Sequence, residues 1–357
     1  MTCQERSLAV KKNIQRWIPA AVVLAVIITA AVAVPAVANA APSLPEKTAQ
    51  QLLELVADSR GTPFSGTIEQ TSALGLPDVS ALSPAGGGDS ASSALELLSG
   101  SHTANVFVGG PTTQRVQLLE GFAERDAIRN GDSVWLYDSD AKEATHITAS
   151  APADLPSGPT LTPGEAAAKL LAAVDTSTAI EVVDTARVAG RAAYELRLTP
   201  DDADTLVGSV VLSVDAETGL PLAVSVTAEG ETSPAFSVRF SEIDFDAPDA
   251  SVFEFAPPSD VTVEEETLEA PDTAVPDAAA SDHPRPTVVG DGWDAVVVLP
   301  AGAQPAGLSG PALDQLTTAV DGGRVLTTSL VSVMLADDGR VLVGAVTPQH
   351  LQDVAAQ

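Results

Sequence analysis

Residues 194–240 decide the fold, and they read YELRLTPDDADTLVGSVVLSVDAETGLPLAVSVTAEGETSPAFSVRF. Four successive segments of this stretch place an apolar residue at every second position. Successive side chains of a β-strand point to opposite faces, so each segment has one apolar and one polar side. Short turns join the segments and predict an antiparallel meander with one dry face. The residues of the dry face are Tyr194, Leu196, Leu198, Val210, Leu212, Val214, Leu222, Val224, Val226, Phe236, Val238 and Phe240.

Two amphipathic helices are predicted to lie against this dry face. Ser43-Leu-Pro-Glu46 matches a capping box and opens a helix over 46–58, which ends before Gly61. Thr162-Pro-Gly-Glu165 matches a second box and opens a helix over 164–174. The helices either fill the apolar face as a solid core or cover a cavity for an apolar ligand. Periodicity alone does not separate these two structures. Their apolar stripes consist of Leu52, Leu55 and Val56 in the first helix, and Leu170, Leu171 and Val174 in the second.

The charge of the chain excludes one class of partner. Residues 1–40 contribute +3 to a formal net charge of −30, so the remainder carries −33. Such a chain repels phosphate backbones, and we exclude nucleic acid as a partner. The high acidity also favours solubility.

The first forty residues have the pattern of an export signal. Four basic residues precede an apolar run that begins with Trp17 to Ile28 and has no charge before Glu46, and Ala38-Asn39-Ala40 matches a small-x-small cleavage site. We expect cleavage after Ala40; an uncleaved anchor is the alternative, because the run is long enough to span a bilayer. The only cysteine, Cys3, lies upstream of the run. The mature chain is therefore expected to have no disulfide.

The remaining segments divide into strands, an insertion, a linker and a small terminal unit. NGDSVWLYDSDAKEATHI (130–147) predicts a hairpin with two bulky aromatic residues, and the composition of residues 75–103 predicts a loop insertion. Residues 264–287 are acidic and proline-rich, which predicts a linker. Beyond it we predict a strand in GWDAVVVLPAG, a helix over 309–323, a hairpin turning at Asp338-Gly339 and a last helix capped by Thr347.

Catalytic motifs are absent from the sequence. It has no G-x-S-x-G, H-E-x-x-H, Walker or G-x-G-x-x-G motif, so no enzyme is predicted. Its four histidines do not have the spacing of metal ligands, and GGGDSASS lacks the lysine of a phosphate loop. Asp138-Ser-Asp140 and Asp201-Asp-Ala-Asp204 could attract calcium, but they lack the glycine and distal glutamate of an EF-hand. Solvated turns explain both better. No cofactor is expected.

The series of segments from about 43 to 265 resembles the LolA/RseB superfamily of bacterial envelope proteins. The hairpin NGDSVWLYDSDAKEATHI, the meander VDAETGLPLAVSV...FSVRFSEIDFD and the closing motif FEFAPPSDVTVEE (253–265) carry this resemblance. It implies a half-open antiparallel barrel, lidded by helices, whose interior holds acyl chains. The Trp135/Tyr137 side or the Val134/Leu136 side of the hairpin would then serve as a packing wall. One departure is Gly110-Pro111, where lipoprotein carriers of this kind often have Arg-Pro.

The C-terminal unit is similar to the smaller domain of RseB-like regulators of sigma-E. In that branch the barrel acts as a lipid sensor, and the C-terminal domain takes part in binding an anti-sigma factor. The resemblance therefore implies two functions: a carrier of lipid or lipoprotein acyl chains, or a regulator that senses lipid or lipoprotein and binds a membrane-anchored protein. Either function is extracytoplasmic, in secreted form or at the outer face of the cytoplasmic membrane.

From these patterns we predict a mainly β chain in four parts. Residues 1–40 form a signal peptide or anchor, 41–263 a LolA-like half-open barrel with lid helices, 264–287 a linker and 288–357 a small α+β domain. The predicted ligand cavity is lined by Leu52, Leu55, Leu170, Leu171, Tyr194, Leu196, Leu212, Val224, Phe236 and Val238.

Overall fold

The computed structural model describes residues 42–75, 100–120, 123–149, 162–172, 174, 178–268, 286–301 and 316–357. The predicted leader, most of the insertion, most of the linker and the first part of the helix predicted over 309–323 lie outside these residues. No helix in the described ranges is long and apolar enough to cross a membrane. Both sheets described below belong to one compact unit, residues 44–357.

Twelve strands of the described chain form one large sheet that does not close into a barrel, which confirms the predicted mainly β, half-open fold. Their spatial order is β12-β6-β5-β4-β3-β2-β1-β11-β10-β9-β8-β7. Every neighbouring pair is antiparallel except β12 and β6, which are parallel. The strands are β1 (Phe64–Ser72), β2 (Gly100–Gly110), β3 (Thr113–Glu120), β4 (Ala123–Asn130), β5 (Ser133–Asp138), β6 (Glu143–Ala149), β7 (Thr178–Val188), β8 (Arg191–Pro200), β9 (Val207–Asp215), β10 (Pro221–Ala228), β11 (Pro234–Asp244) and β12 (Thr262–Leu268).

The predicted meander is β8 to β11. Leu196 lies opposite Leu212, Leu212 opposite Val224, and Val224 opposite Val238. Because paired residues of neighbouring strands share a face, these side chains form one apolar row across four strands. All four are at most 1% exposed.

Two helices cover this face, α1 (Ala49–Asp58) and α2 (Pro163–Ala172). The capping box of α2 is confirmed: Glu165 N donates to Thr162 Oγ1, and Thr162 N donates to a carboxylate oxygen of Glu165. The predicted start of α1 is wrong by one turn. Its capping box is formed by Thr48 and Gln51 rather than by Ser43 and Glu46, because Pro45 favours an extended chain just before it.

Six further strands form a smaller C-terminal sheet in the order β13-β14-β18-β17-β16-β15. The hairpin at Asp338-Gly339 and the last helix, α3 (Pro348–Ala355) with Thr347 as its cap, are confirmed. The helix predicted over 309–323 is wrong at its end: Thr318–Val320 pairs with the next strand, because antiparallel pairing overrides the local helical pattern. The strands are β13 (Thr287–Val289), β14 (Val296–Leu299), β15 (Thr318–Val320), β16 (Gly323–Thr327), β17 (Ser332–Ala336) and β18 (Val341–Gly344).

The small sheet contacts one end of the large sheet directly. Thr205 forms a β-bridge with Val346, and Ser329 N donates to Leu74 O. Trp293 is only 5% exposed, lies in the core cluster of the large sheet and donates from Nε1 to Thr178 Oγ1. These contacts are all at the strand ends where β1 stops and β7 begins. The division of the chain at residues 264–287 stays a prediction, and β12 extends five residues into that range.

Candidate functional site

A cavity of about 590 Å³ opens at the other end of the large sheet, where β1 begins and β2 ends. Its walls come from the end of α1, from α2, from β1 to β3, from β11 and from the turn before β10. Most of the wall is apolar. The lining residues are Val56, Ser59, Arg60, Gly61, Thr62, Phe64, Val106, Val108, Pro111, Gln114, Val116, Thr162, Gly164, Glu165, Ala168, Leu171, Leu220, Pro221 and Phe240.

The sequence explains how this apolar wall is built. Phe64 lies opposite Val108, and Val106 opposite Val116, so their side chains continue the dry face of the meander across β1, β2 and β3. The rings of Phe64 and Phe240 meet edge-to-face with centroids 5.5 Å apart, a favourable aromatic geometry. The apolar face therefore extends beyond the meander, and the cavity lies between this extension, the end of α1 and one side of α2.

Of the ten residues predicted for the cavity, Leu171 lines it. The other nine lie in the hydrophobic core between the sheet and the helices or pack against it. The hydroxyl of Tyr194 donates to Pro45 O at 2.7 Å, which ties the segment before α1 to β8. Buried in the core are Leu52, Tyr194, Leu196, Leu212, Val224 and Val238, and packed against them are Leu55, Leu170 and Phe236.

Sequence reasoning missed the wall formed by β1, β2 and β3. Its alternation was visible in Val106 and Val108 and again in Val116 and Leu118, but each run is short. We predicted the cavity at the meander because the meander has four such segments in succession. The location of a cavity depends on where the covering helices end, which strand periodicity does not encode.

A substitution at Leu212 tests whether this residue belongs to the packed core or to the wall of a cavity. Leu212 is 1% exposed and is enclosed by core residues. We expect Leu212→Trp to overpack the core and lower the free energy of unfolding by about 1–3 kcal/mol. Chemical denaturation measures this change. A Leu212→Trp variant as stable as wild type would place unfilled space at the centre of the meander rather than beside α2.

The mouth of the cavity carries polar groups among the apolar wall. Arg60 is exposed there, and Gln114 and Ser59 lie nearby. The Glu165 carboxylate accepts hydrogen bonds of 2.9 Å from the amide and the hydroxyl of Thr162, so it is engaged in capping α2. Pro111, from the Gly110-Pro111 pair, also lines the cavity. The arrangement suits a ligand with an apolar body and a polar end at the mouth.

The aromatic side chains of the β5–β6 hairpin pack together on the outer face of the large sheet. Trp135 stacks on His146 with ring centroids 4.3 Å apart and planes 10° apart. Phe255 contacts both Trp135 and Tyr137, each at 5.3 Å between centroids. Both sides of the hairpin are packing walls: the aromatic side holds the closing motif, while Val134 and Leu136 point to the inner face with Ile147.

The closing motif crosses the outer face within a longer segment, Asp249–Leu268, which we call the strap and which begins with a 3-10 helix at Ala250–Phe253. Phe253 is 4% exposed and its ring lies over Gly109, where an added Cβ would approach it to 3.1 Å. Past Phe255, Lys142 forms an ion pair with Asp260, and β12 then pairs with β6. The strap therefore has a first half that is anchored by Phe253 and Phe255 and a β12 half along the sheet edge.

A buried ion pair lies beneath the first half of the strap. Arg115 Nη2 contacts Asp126 Oδ2, and Arg115 Nη1 donates to Val252 O at 3.2 Å. Burial raises the pKa of Asp126 to about 6; Arg115 opposes the rise, and Glu124 adds to it. Among the described residues, Arg115 Nε and Asp126 Oδ1 have no hydrogen-bond partner. Such groups are costly to bury, so this pair is sensitive to protonation.

Neither acidic motif forms a metal site in the structure. Asp138 Oδ1 accepts from the amides of Asp140 and Ala141, and Asp202 Oδ1 accepts from that of Asp204. Both motifs thus act as turn caps. Within the described ranges, no group of three or more His, Cys, Asp and Glu residues is arranged to hold a metal ion.

Comparisons with known proteins give one family match and several structural likenesses. The family model of the MucB/RseB N-terminal domain matches residues 94–268. No curated protein matches the sequence. Crystal structures of MucB in complex with MucA(peri) and of the Pseudomonas aeruginosa MucA/MucB complex are each 18% identical, with a TM-score of 0.46; they cover 86% of this chain and 97% and 96% of theirs.

A LolA superfamily protein from Nitrosomonas europaea is 14% identical over 59% of this chain and 99% of its own, with a TM-score of 0.22. The matched range 94–268 contains β2 to β12, the meander and the whole strap. It also contains the hairpin and the closing motif on which the resemblance was first based. Residues 94–268 are therefore similar to the MucB/RseB N-terminal domain, which supports the resemblance to the LolA/RseB-like superfamily.

Proposed function

We propose that this protein is a non-enzymatic, extracytoplasmic regulator of the RseB type. It binds the acyl chain of a lipid or lipoprotein in the cavity beside α2, and it binds a membrane-anchored anti-sigma factor. The match of residues 94–268 to the MucB/RseB domain is the observation that supports the regulatory role over a transport role. The apolar cavity supports acyl-chain binding, because burial of each methylene contributes about 0.8 kcal/mol.

The carrier function is the second candidate, and the same cavity favours it. A carrier holds its lipid reversibly and needs no fixed partner, whereas a regulator has one. The departure at Gly110-Pro111 weighs against a lipoprotein carrier, because the arginine of that motif is missing. Both candidates place the protein outside the cytoplasm, after export directed by residues 1–40.

Capture of the partner from host membranes tests the regulatory proposal. The small sheet exposes Val297 and Val288, which lie opposite each other on β14 and β13 and are 39% and 64% exposed. We expect wild-type protein, cross-linked in its host, to retain a membrane protein whose cytoplasmic part binds a sigma factor. Val297→Lys, which places a charge on this apolar surface, is expected to lower that recovery at least tenfold.

A matched variant controls for the added charge. Thr318 is exposed at the opposite edge of the same sheet, so Thr318→Lys should leave recovery unchanged. The regulatory proposal is wrong if wild-type protein carries lipid but no such membrane protein, and if deletion of its gene leaves transcripts of the host's envelope-stress sigma factors unchanged. The carrier function predicts that combination of results.

A further inference from the structure

Arg60 is the one arginine in the described ranges whose side chain contacts no oxygen of the chain. Each of the others contacts a carboxylate, carbonyl or hydroxyl oxygen. Acidic residues outnumber lysine and arginine by 48 to 18, so an arginine without such a partner is unusual here. Arg60 is exposed at the mouth of the cavity, and its guanidinium has only donors. It is therefore available to an anionic group from outside the chain.

The backbone around Arg60 is held in place at the rim of the cavity. Thr62 N donates to Ser59 O at 3.1 Å, which closes a turn directly after α1. Gly61 has a φ of +85°, and a Cβ at this position would lie 3.6 Å from Pro111 Cγ, so the turn lies against the connection between β2 and β3. A backbone that is already ordered lowers the cost of forming a contact with a ligand there.

The other polar groups of the cavity wall offer mainly hydrogen-bond donors to a ligand. Within the described part of the chain, the side chains of Gln114 and Thr62 have no hydrogen-bond partner, and both can donate. Glu165 is the one acidic residue of the wall, and its Oε2 already accepts two hydrogen bonds from Thr162. Unpaired donors beside a guanidinium are satisfied better by an anionic oxygen group than by a cation.

We propose that the acyl ligand of this cavity ends in an anionic oxygen group, a carboxylate or a phosphate, which pairs with Arg60. This inference rests on the proposed binding of an acyl chain and adds the chemistry of its head group. The apolar wall takes the chain, while the planar guanidinium offers two parallel N–H donors to the head. The Gln114 amide is a further donor on the same wall.

Fluorescent probes that share one acyl chain and differ only in the head group test this pairing. The label is at the end of the chain, and the head is a carboxylate, a phosphate monoester, an alcohol or an amine. At neutral pH and low salt, we expect wild-type protein to bind the two anionic probes about fivefold more tightly than the alcohol. Added salt should reduce this preference, because Arg60 is exposed. The affinities for carboxylate and phosphate then show which anion the site prefers.

Variants of Arg60 assign the preference to this residue. Arg60→Gln should weaken binding of both anionic probes about fivefold and leave binding of the alcohol unchanged. Arg60→Lys keeps the charge without the planar pair of donors, so it should lose less than Arg60→Gln. Arg239→Gln removes the same charge from the outer face of the sheet, opposite the cavity, and should keep the wild-type affinities. Equal losses in Arg60→Gln and Arg239→Gln would mean that the charge of the whole protein, rather than a contact at the mouth, sets the preference.

Three further results overturn the pairing but leave acyl-chain binding in place. Equal affinity of wild-type protein for the carboxylate and the alcohol means that the head group does not contact Arg60. Tighter binding of the amine assigns the head group to Glu165. An Arg60→Gln variant that melts at lower temperature but keeps the wild-type preference limits Arg60 to stabilising the C-terminal end of α1. Wild-type protein that binds none of the four probes contradicts the proposed acyl-chain binding, and this inference with it.

Discussion

Ala168→Trp is expected to weaken binding of a fluorescent fatty acid at least tenfold, while leaving thermal stability nearly unchanged. Ala168 lies on α2, is exposed and lines the cavity. An indole placed there would occupy the space that an acyl chain needs, without displacing a core residue. A tenfold loss corresponds to about 1.4 kcal/mol, or fewer than two buried methylenes, so larger losses are plausible for a long chain.

Lys169→Trp provides the matched control for this experiment. Lys169 is the next residue of α2, is exposed and does not line the cavity. The same side chain added there should leave probe affinity unchanged. Equal loss in both variants would mean that tryptophan perturbs α2 in general, and equal affinity in both would place the probe elsewhere on the protein.

Gly219→Ala is expected to produce the largest loss of stability among single substitutions in the turns. Gly219 has a φ of +76°, and a Cβ at this position would come within 2.3 Å of Leu55 O in α1. The left-handed backbone costs a non-glycine residue about 1–2 kcal/mol, and overpacking adds about 1–3 kcal/mol. We therefore expect a total loss of about 2–5 kcal/mol in the free energy of unfolding, measured by chemical denaturation.

Gly230→Ala is the control that separates the cost of backbone strain from the cost of the steric clash at Gly219. Gly230 has nearly the same φ, +77°, but nothing lies within 4 Å of an added Cβ. It should lose only the backbone contribution of about 1–2 kcal/mol. Because α1 also forms one wall of the cavity, Gly219→Ala should impair probe binding as well. Equal losses of stability in the two variants would contradict a close packing of α1 on this turn.

The regular part of the fold was predictable from the sequence because its signals are local. The meander has four alternating segments, and each pairs with its neighbour through a short turn such as Asp215–Gly219. That turn is closed by Asp215, whose Oδ1 accepts from the Thr218 amide and hydroxyl. Burial opposes ionisation of Asp215, but its hydrogen bonds with Arg191 and Thr218 hold its pKa below the ordinary value.

The strap and the cavity were less predictable because they depend on contacts distant in sequence. The run Glu264–Glu266 is typical of a solvated linker, yet it forms part of β12 because the edge of β6 supplies backbone partners. Phe255 contacts residues more than one hundred positions away, at Trp135 and Tyr137. The cavity likewise depends on where α1 and α2 end over the sheet. Of the ten predicted lining residues, only Leu171 lies at that place.

We propose that the cavity beside α2 holds an acyl chain, and native mass spectrometry of protein purified from its host envelope tests this binding most directly. We predict that wild-type protein carries additional mass corresponding to an acylated molecule, that Lys169→Trp carries the same mass, and that Ala168→Trp does not. Wild-type protein without bound mass would contradict the claim, as would an Ala168→Trp variant that retains the full load.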